Sequence, residues 1–524
     1  MSDTLSTLPL MHRSPRGAVL CAALGAASVL AFAPVGAFPL LPLTLGVLFL
    51  ILRTAASPRQ GAIYGWAFGS GLFLAGVSWV YVSLSVFGGM PAWLAGLATL
   101  LFCLVLALYP ALAGALAVRL RSASPTLDAL AFAALWTLTE WLRGWLLTGF
   151  PWLAAGYAQT PPSPLAGYAP VVGVYGLSFA SALIGALGAT CILETTAGRT
   201  LQGRRKAVVA GLAAMLVLAG GALLRGVAWT TPHGAPITVA LLQGNVPQDL
   251  KWRPELFDAS LRTYYQLALD HPAQLTVLPE TALPAFYDRI PRAYLETLAG
   301  LARRQDGDLL LGVPTGDSQG YANSVVSLGN APSQRYDKQH LVPFGEFVPP
   351  GFRWFMAQAN IPMSDFTPGA ANQPPFAVAG QRVAANICYE DAFGTEIARA
   401  VPQATLLVNL SNVAWFGDSL APQQHLQIAR LRALETGRTM LRATNTGMTA
   451  IVAPDGAVLG ALPPFTRGAL RGEAQGYTGE TPYVRWGNTP LLIVLAALLV
   501  FIAIRAQKDA TSPHLKPPGK ACEP

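Results

Sequence analysis

The chain divides by pattern into long apolar runs and one long stretch of mixed character. The apolar runs fall at approximately Gly17 to Ala33, Phe38 to Leu52, Gly61 to Val86, Ala92 to Val118, Leu127 to Leu147, Val171 to Leu193, Ala207 to Leu224 and Pro490 to Ile504. Because a helix of about 20 apolar residues bridges roughly 30 Å of hydrocarbon, the pattern predicts a multi-pass membrane domain of eight transmembrane helices. The second and last runs are short. The run from Leu127 carries Glu140 and Arg143, three residues apart on one helical face, which are expected to form an intramembrane ion pair near the outer surface.

Between Arg225 and Arg485 the periodicity changes. Short β-rich runs at Ile237 to Leu242, Leu275 to Leu278, Asp308 to Val313, Ser324 to Leu328, Arg382 to Cys388, Thr405 to Leu410 and Met448 to Val452 alternate with helical segments. The clearest helix runs from Pro422 to Arg438, with Gly437 near its end as a stop signal. Strands spaced by helices indicate a layered α/β domain, and a stretch of about 260 residues is long enough for one sizeable core. The expected organisation is seven transmembrane helices in 1–224, an inserted α/β domain in 225–487, an eighth helix in 488–508 and a cytoplasmic tail in 509–524.

Composition agrees with this division. Of 524 residues, 52% are apolar and 12% charged, against roughly 25% charged in soluble domains, which excludes an ordinary soluble protein. The net charge of +8 raises the question of a nucleic-acid partner. From Arg225 to Arg485 there are 20 basic and 21 acidic residues, whereas the rest of the chain has 15 and 6. The basic excess therefore belongs to the apolar part and reports topology, with no nucleic-acid partner expected.

It sits in alternate loops: Arg13 and Arg16, Arg53 and Arg59, Arg119 and Arg121, Arg199 with Arg204, Arg205 and Lys206, and Arg505 with Lys508. The loops between, around Pro34, Gly88 and Thr148 to Tyr168, have no Lys or Arg. The positive-inside rule then places both termini in the cytoplasm and the inserted domain outside it. The first 33 residues also fit a signal peptide, with Arg13, Arg16, an apolar run and Ala31-Phe32-Ala33. The second apolar run follows so closely that a retained helix is preferred, and the remaining topology is the same either way.

Of five cysteines, Cys21, Cys103 and Cys191 lie in apolar runs and Cys522 in a polar tail, leaving Cys388 alone in the inserted domain. A strand there runs into Cys388-Tyr389-Glu390-Asp391, where a strand end can present a nucleophile. A thiol attacks as thiolate and needs a base or a cation nearby. The six histidines form no cluster and no zinc spacing, so no metal and no cofactor are expected. The domain has two lysines, Lys251 and Lys338, the second in Tyr336-Asp337-Lys338-Gln339-His340 followed by Leu341 to Glu346, and Glu280 ends a strand in Leu278-Pro279-Glu280.

Together these stretches resemble the nitrilase, or carbon–nitrogen hydrolase, superfamily, whose Glu-Lys-Cys triad matches Glu280, Lys338 and Cys388 in order. The resemblance covers the whole inserted domain, including Gln243-Gly244-Asn245 after its first strand, and implies an α-β-β-α sandwich. With the membrane segments included, the chain is similar over nearly its full length to the apolipoprotein N-acyltransferase family, in which Trp252, Glu346, Tyr389 and Glu390 match functionally important positions. The resemblance implies a phospholipid acyl donor of the phosphatidylethanolamine type and an acceptor amine on a diacylglyceryl apolipoprotein. It also implies a Cys388 thioester intermediate and a place in the bacterial inner membrane with the catalytic domain on the periplasmic side.

Glu346 and Glu390 are expected to position Lys338 or tune the triad. The apolar stretch Phe352, Trp354, Phe355 and Met356, and likewise Trp415-Phe416, is expected either to meet the outer leaflet or an acyl-chain path, or to pack in the core. Two alternatives use the same residues. One is a membrane-tethered amidase with water as acceptor; the other is a lipid scaffold or transporter with a silent domain.

Overall fold

The computed structural model describes residues 16–197, 200–317, 320–349, 351 and 365–511. The stretch Phe352 to Met356, together with Arg13, Arg199 and Cys522, lies outside the described residues.

All eight apolar runs are helical over most of their length. They form α1 (Arg16–Ser28), α2 (Leu40–Thr54), α3 (Pro58–Gly76), α4 (Ala92–Arg119), α5 (Pro125–Arg143), α6 (Ala169–Ala197), α7 (Leu201–Leu224) and, after the inserted domain, α12 (Thr489–Thr511). Fewer of them are long and apolar enough to cross a bilayer. Among the described residues four qualify, at Ala92–Arg119, Pro164–Thr196, Leu201–Leu224 and Thr489–Gln507. A fifth is obtained by joining α3 to the segment Val80–Phe87 across a 56° bend.

The expected count of eight spans is therefore not reached on length and composition, for physical reasons. At 1.5 Å rise per residue, α1 and α2 are short, and α5 carries Asp128, Glu140 and Arg143. The helices pack through small residues: a side chain on Gly61 would strike the Gly114 carbonyl, and one on Gly114 the Gly61 carbonyl, so α3 and α4 approach backbone to backbone. At one end of the bundle Arg53 pairs with Asp128 at 2.7 Å, and Arg121 donates to the Arg53 and Ala55 carbonyls.

The inserted domain holds two six-stranded sheets. In chain order it contains β1 (Thr231–Gln243), α8 (Phe257–Asp270), β2 (Leu275–Val277), α9 (Arg292–Arg303), β3 (Asp308–Asp317), β4 (Gly320–Gly329), β5 (Arg335–Asp337), β6 (Phe376–Val378) and β7 (Gln381–Ile387). There follow α10 (Gly394–Ala400), β8 (Leu406–Ser411), α11 (Ala421–Thr436), β9 (Thr439–Thr444), β10 (Ala450–Val452), β11 (Val458–Ala461) and β12 (Gly468–Thr478).

The first sheet has the order β12-β1-β2-β3-β4-β5 and the second β11-β10-β9-β8-β7-β6. Val239, Leu241, Val277, Leu310 and Val325 of the first face Val383, Val408, Leu410 and Leu441 of the second in one buried core. Helices α8 and α9 cover the outer face of the first sheet through Leu261, Tyr264, Leu295 and Leu298, and α10 and α11 cover the second through Ile397, Leu426 and Ala429. The result is the four-layer α-β-β-α sandwich.

Several strands run longer than expected. β1 begins at Thr231 because its exposed start pairs with the end of β12 as a ribbon, with a register shift between His233 and Ile237. α11 ends at Thr436, two residues before the expected Arg438, because Gly437 takes the left-handed conformation at φ 62° and stops it. It is buried on nearly every side, because one flank meets the sheet and the other the membrane domain. There Gln424 accepts from the Trp152 indole at 2.7 Å and Gln427 accepts from the Ala33 N–H at 3.0 Å. The loop Thr148 to Tyr168, lacking charge, packs under the sandwich, with Phe150, Trp152 and Tyr157 meeting Tyr389, His425 and the Ala392 carbonyl.

Candidate active site

Cys388 stands one residue beyond β7 with φ 54°, a left-handed conformation that costs a non-glycine residue about 1–3 kcal/mol. Its surroundings hold it there. Ahead of it the Ile387 N–H donates to Glu390 at 2.6 Å; behind it the Cys388 carbonyl accepts from Asn409 at 3.0 Å and meets His425 Nε2 at 3.2 Å. Asp391 joins His425 at 2.8 Å and Arg442 at 3.0 Å, and Arg442 donates to Asn409 at 2.7 Å, so a buried polar network underlies the turn. The chain is thereby folded back so that the thiol is half-buried at the end of the second sheet.

Glu280 follows β2 in the facing sheet. Its approach depends on Gly312 of β3, where an added Cβ would fall 2.3 Å from the Pro279 oxygen and 2.8 Å from the Glu280 Cα. Its carboxylate is fixed at both oxygens: Asn323 donates to Oε1 at 2.7 Å and the Asn412 N–H to Oε2 at 2.7 Å.

Lys338 follows β5 and is almost wholly buried. Its Nζ donates to Glu346 Oε1 at 2.8 Å and stands 3.7 Å from Glu280 Oε1. Glu346 also accepts from Asn323 at 3.1 Å and from the Val342 N–H at 2.8 Å, which curls the 342–346 turn around its own carboxylate. Three sequence-distant segments thus meet: Glu280, Lys338 and Glu346 form one hydrogen-bonded and ion-paired cluster, and Cys388 lies within its field.

The electrostatics set the resting protonation. Burial pushes the Cys388 thiol up to about 12, the Glu280 and Glu346 charges add to this, and Lys338 and a hydrogen bond with Ser411 oppose it. At neutral pH the resting group is therefore a thiol, and attack requires a base that removes the proton as the bond forms. Burial alone would lower the pKa of Lys338, but Glu346 and Glu280 outweigh it and hold the ammonium charged.

Glu390 does not touch Lys338 directly. It accepts from the Gln339 and His340 N–H groups at 2.7 and 3.1 Å, from the Tyr336 hydroxyl at 3.0 Å and from Ile387, and so ties the lysine loop to the cysteine turn. Burial raises it to about 7 against these donors and the Lys338 charge.

Tyr389, which matches a functionally important position of the family, faces the membrane domain: its hydroxyl donates to the Gly149 carbonyl and its ring stacks with Phe150 and Trp152. Trp252 is half-buried in the turn that carries Lys251 and takes no part in the hydrogen bonds just described. Trp415 and Phe416 pack against Phe87 and Trp79 of the bent helical segment, and the Ser83 hydroxyl donates to the Trp415 carbonyl at 2.7 Å. Glu140 and Arg143 make no ion pair with each other: Glu140 accepts from the Ala155 N–H at 3.0 Å, and Arg143 donates to the Phe150 and Trp152 carbonyls.

Sequence reasoning missed Asn323, Asn412, Ser411 and the Asp391–His425–Arg442 network. Asn323 and Arg442 carried a usable signal, as polar residues interrupting otherwise apolar buried strands.

Residues 238–483 match the profile described as carbon-nitrogen hydrolase, and residues 24–187 that of the apolipoprotein N-acyltransferase N-terminal domain. A solved carbon–nitrogen hydrolase superfamily protein of Xanthomonas campestris is 17% identical, covering 46% of this chain and 91% of its own, with a TM-score of 0.36. The sandwich is thus a carbon–nitrogen hydrolase domain mounted on an apolar helical domain, the mark of a membrane-bound enzyme.

Similarity over the full length narrows the class. Apolipoprotein N-acyltransferase of Nitrosomonas europaea is 49% identical, covering 91% of this chain and 95% of its own, and that of Ralstonia nicotianae 49%, covering 92% and 93%. The chain belongs to the apolipoprotein N-acyltransferase family.

Proposed function

We propose that the protein transfers an acyl chain from a phospholipid to the α-amino group of the N-terminal S-diacylglyceryl-cysteine of apolipoproteins, through a thioester on Cys388. The observation that carries the reading is the meeting of Glu280, Lys338 and Cys388 in a domain seated on apolar helices.

In the first half-reaction Glu280 takes the Cys388 proton as the sulfur attacks an ester carbonyl. Lys338 and the Tyr389 backbone N–H stabilise the negative charge on the carbonyl oxygen. The intermediate collapses to a thioester, and Glu280 returns its proton to the departing lysophospholipid. In the second half-reaction the acceptor amine attacks the thioester; Glu280 removes the amine proton and restores the thiol, leaving an amide. Glu346 keeps Lys338 charged and aimed, and Glu390 holds the two loops in register.

The phospholipid donor is of the phosphatidylethanolamine type, and both reactants are lipid-anchored, so a docked domain meets them at high effective concentration. The reading includes eight membrane passes, residues 225–487 as the catalytic domain, and a bacterial inner membrane with that domain on the periplasmic face. The clustering of Arg53 and Arg121 at one end of the bundle supports this orientation.

Incubating the purified protein with phospholipid and a diacylated lipopeptide tests the proposal. N-acylated peptide is the expected product. Release of free fatty acid at a rate indifferent to the peptide would instead identify a hydrolase.

A further inference from the structure

A second buried lysine faces the same cluster. Lys251 is 2% exposed, and its Nζ donates to Thr281 Oγ1 at 2.6 Å and to the Glu280 carbonyl at 3.3 Å. Neither partner is charged. Thr281 has φ 44°, so the lysine clasps the left-handed turn that begins at Glu280.

An ammonium buried against two neutral acceptors is costly. The ionisable groups acting on it are Glu280 and Cys388, and Glu280 in turn stands 3.7 Å from Lys338, which pairs with Glu346. Burial draws its pKa down to about 8, while Glu280 and Cys388 pull it back up. The charge count gives it a purpose. Glu280, Glu346 and Lys338 together leave one excess negative charge, and the proton transfer from Cys388 to Glu280 only moves that charge onto sulfur. A protonated Lys251 makes the cluster neutral in every one of these states.

We propose that Lys251 is a positioning residue for the acyl transfer: it fixes the turn that aims Glu280 and supplies the positive charge that balances the site when Cys388 ionises. The role rests on the functional reading above, but its test does not use acyl transfer. Alkylation of Cys388 by iodoacetamide, followed by mass spectrometry on the full-length protein in detergent, reports thiolate formation directly.

At pH 7 the Lys251→Met protein should alkylate about tenfold more slowly than wild type, the equivalent of one pKa step. Its unfolding temperature should be unchanged or higher, because a buried charge has been replaced by an apolar chain. Thr281→Val, which keeps the charge and removes one hydrogen bond, should slow alkylation less. In wild type the rise of rate with pH should become shallower around 8 as Lys251 loses its proton and then resume, and Lys251→Met should lack that break.

A wild-type alkylation rate in Lys251→Met, or a slowing that tracks a fall in unfolding temperature, overturns the proposal. If the lipopeptide is never acylated while the alkylation shift appears, the functional reading fails and this role for Lys251 stands.

Discussion

The Tyr389 hydroxyl donates to the Gly149 carbonyl at 3.0 Å, joining the residue after the nucleophile to a loop of the membrane domain. The loop is itself held by Arg143, which donates to the Phe150 and Trp152 carbonyls. His340, two residues beyond Lys338, makes a parallel tie through Nε2 to the Thr148 oxygen at 3.0 Å. The turn carrying the thiol and the loop carrying the lysine therefore rest on the same membrane segment. Their relative placement depends on docking, and the helical domain contributes to the geometry of the site as well as to its location.

Substitutions at Tyr389 separate the ring from its hydroxyl. Tyr389→Phe removes one buried hydrogen bond, worth about 1 kcal/mol, and should keep most of the activity. Tyr389→Ala leaves a cavity among Phe150, Trp152 and Phe393, costs about 3–5 kcal/mol and should reduce turnover sharply by releasing the strained Cys388 backbone. Thermal unfolding and acyl-transfer assays on the two variants check the split.

The raised thiol gives a pH signature. With the Cys388 pKa near 12, the thiolate fraction at neutral pH is small and grows with each unit of pH, so alkylation should still be rising at pH 10. An ordinary thiol, with a pKa of about 8.5, would have reached its plateau. Glu280 raises the thiol pKa by its charge, so Glu280→Gln should make Cys388 alkylate faster at a given pH while abolishing acyl transfer. Loss of both together would show that Glu280 acts only by holding the fold.

Gly312 offers a test remote from the reacting atoms. Gly312→Ala places a methyl group 2.3 Å from the Pro279 oxygen and must displace the end of β2. Overpacking of this kind costs about 1–3 kcal/mol, which the domain should survive. The shift of Glu280 should nevertheless lower the turnover rate by at least about tenfold, since a misplacement of about 1 Å at a reacting group costs about a hundredfold.

How far the sequence carried this picture follows from where the information lies. Cys388 and Glu280 follow strands whose apolar runs are plain in the sequence, but taken singly Glu280 and Lys338 read as ordinary surface charges, and only the resemblance of the three motifs together made them legible as a triad. The role of Tyr389 was not legible, because its partner, Gly149, is 240 residues away and is contacted through a backbone oxygen that no side chain advertises. The strands β5, β6, β11 and β12 were missed because β5, β6 and β11 have only three or four residues each and β12 mixes glycines and charges among its few apolar positions. β9 was missed because Arg442 interrupts it, yet that arginine is fully buried against Asp391. Length and composition alone do not mark all eight expected spans, because α1 and α2 are short, α3 bends, and α5 uses Glu140 and Arg143 to bind a loop.

The central claim is that the acyl group rests on the sulfur of Cys388 between donor and acceptor. Intact-mass and peptide mass spectrometry after exposure to phospholipid without acceptor tests it most directly. The predicted result is one acyl mass on the Cys388 peptide, released by neutral hydroxylamine and discharged onto added diacylated lipopeptide. An acyl group on any other residue, or acylated lipopeptide formed at the wild-type rate by Cys388→Ala, would contradict it.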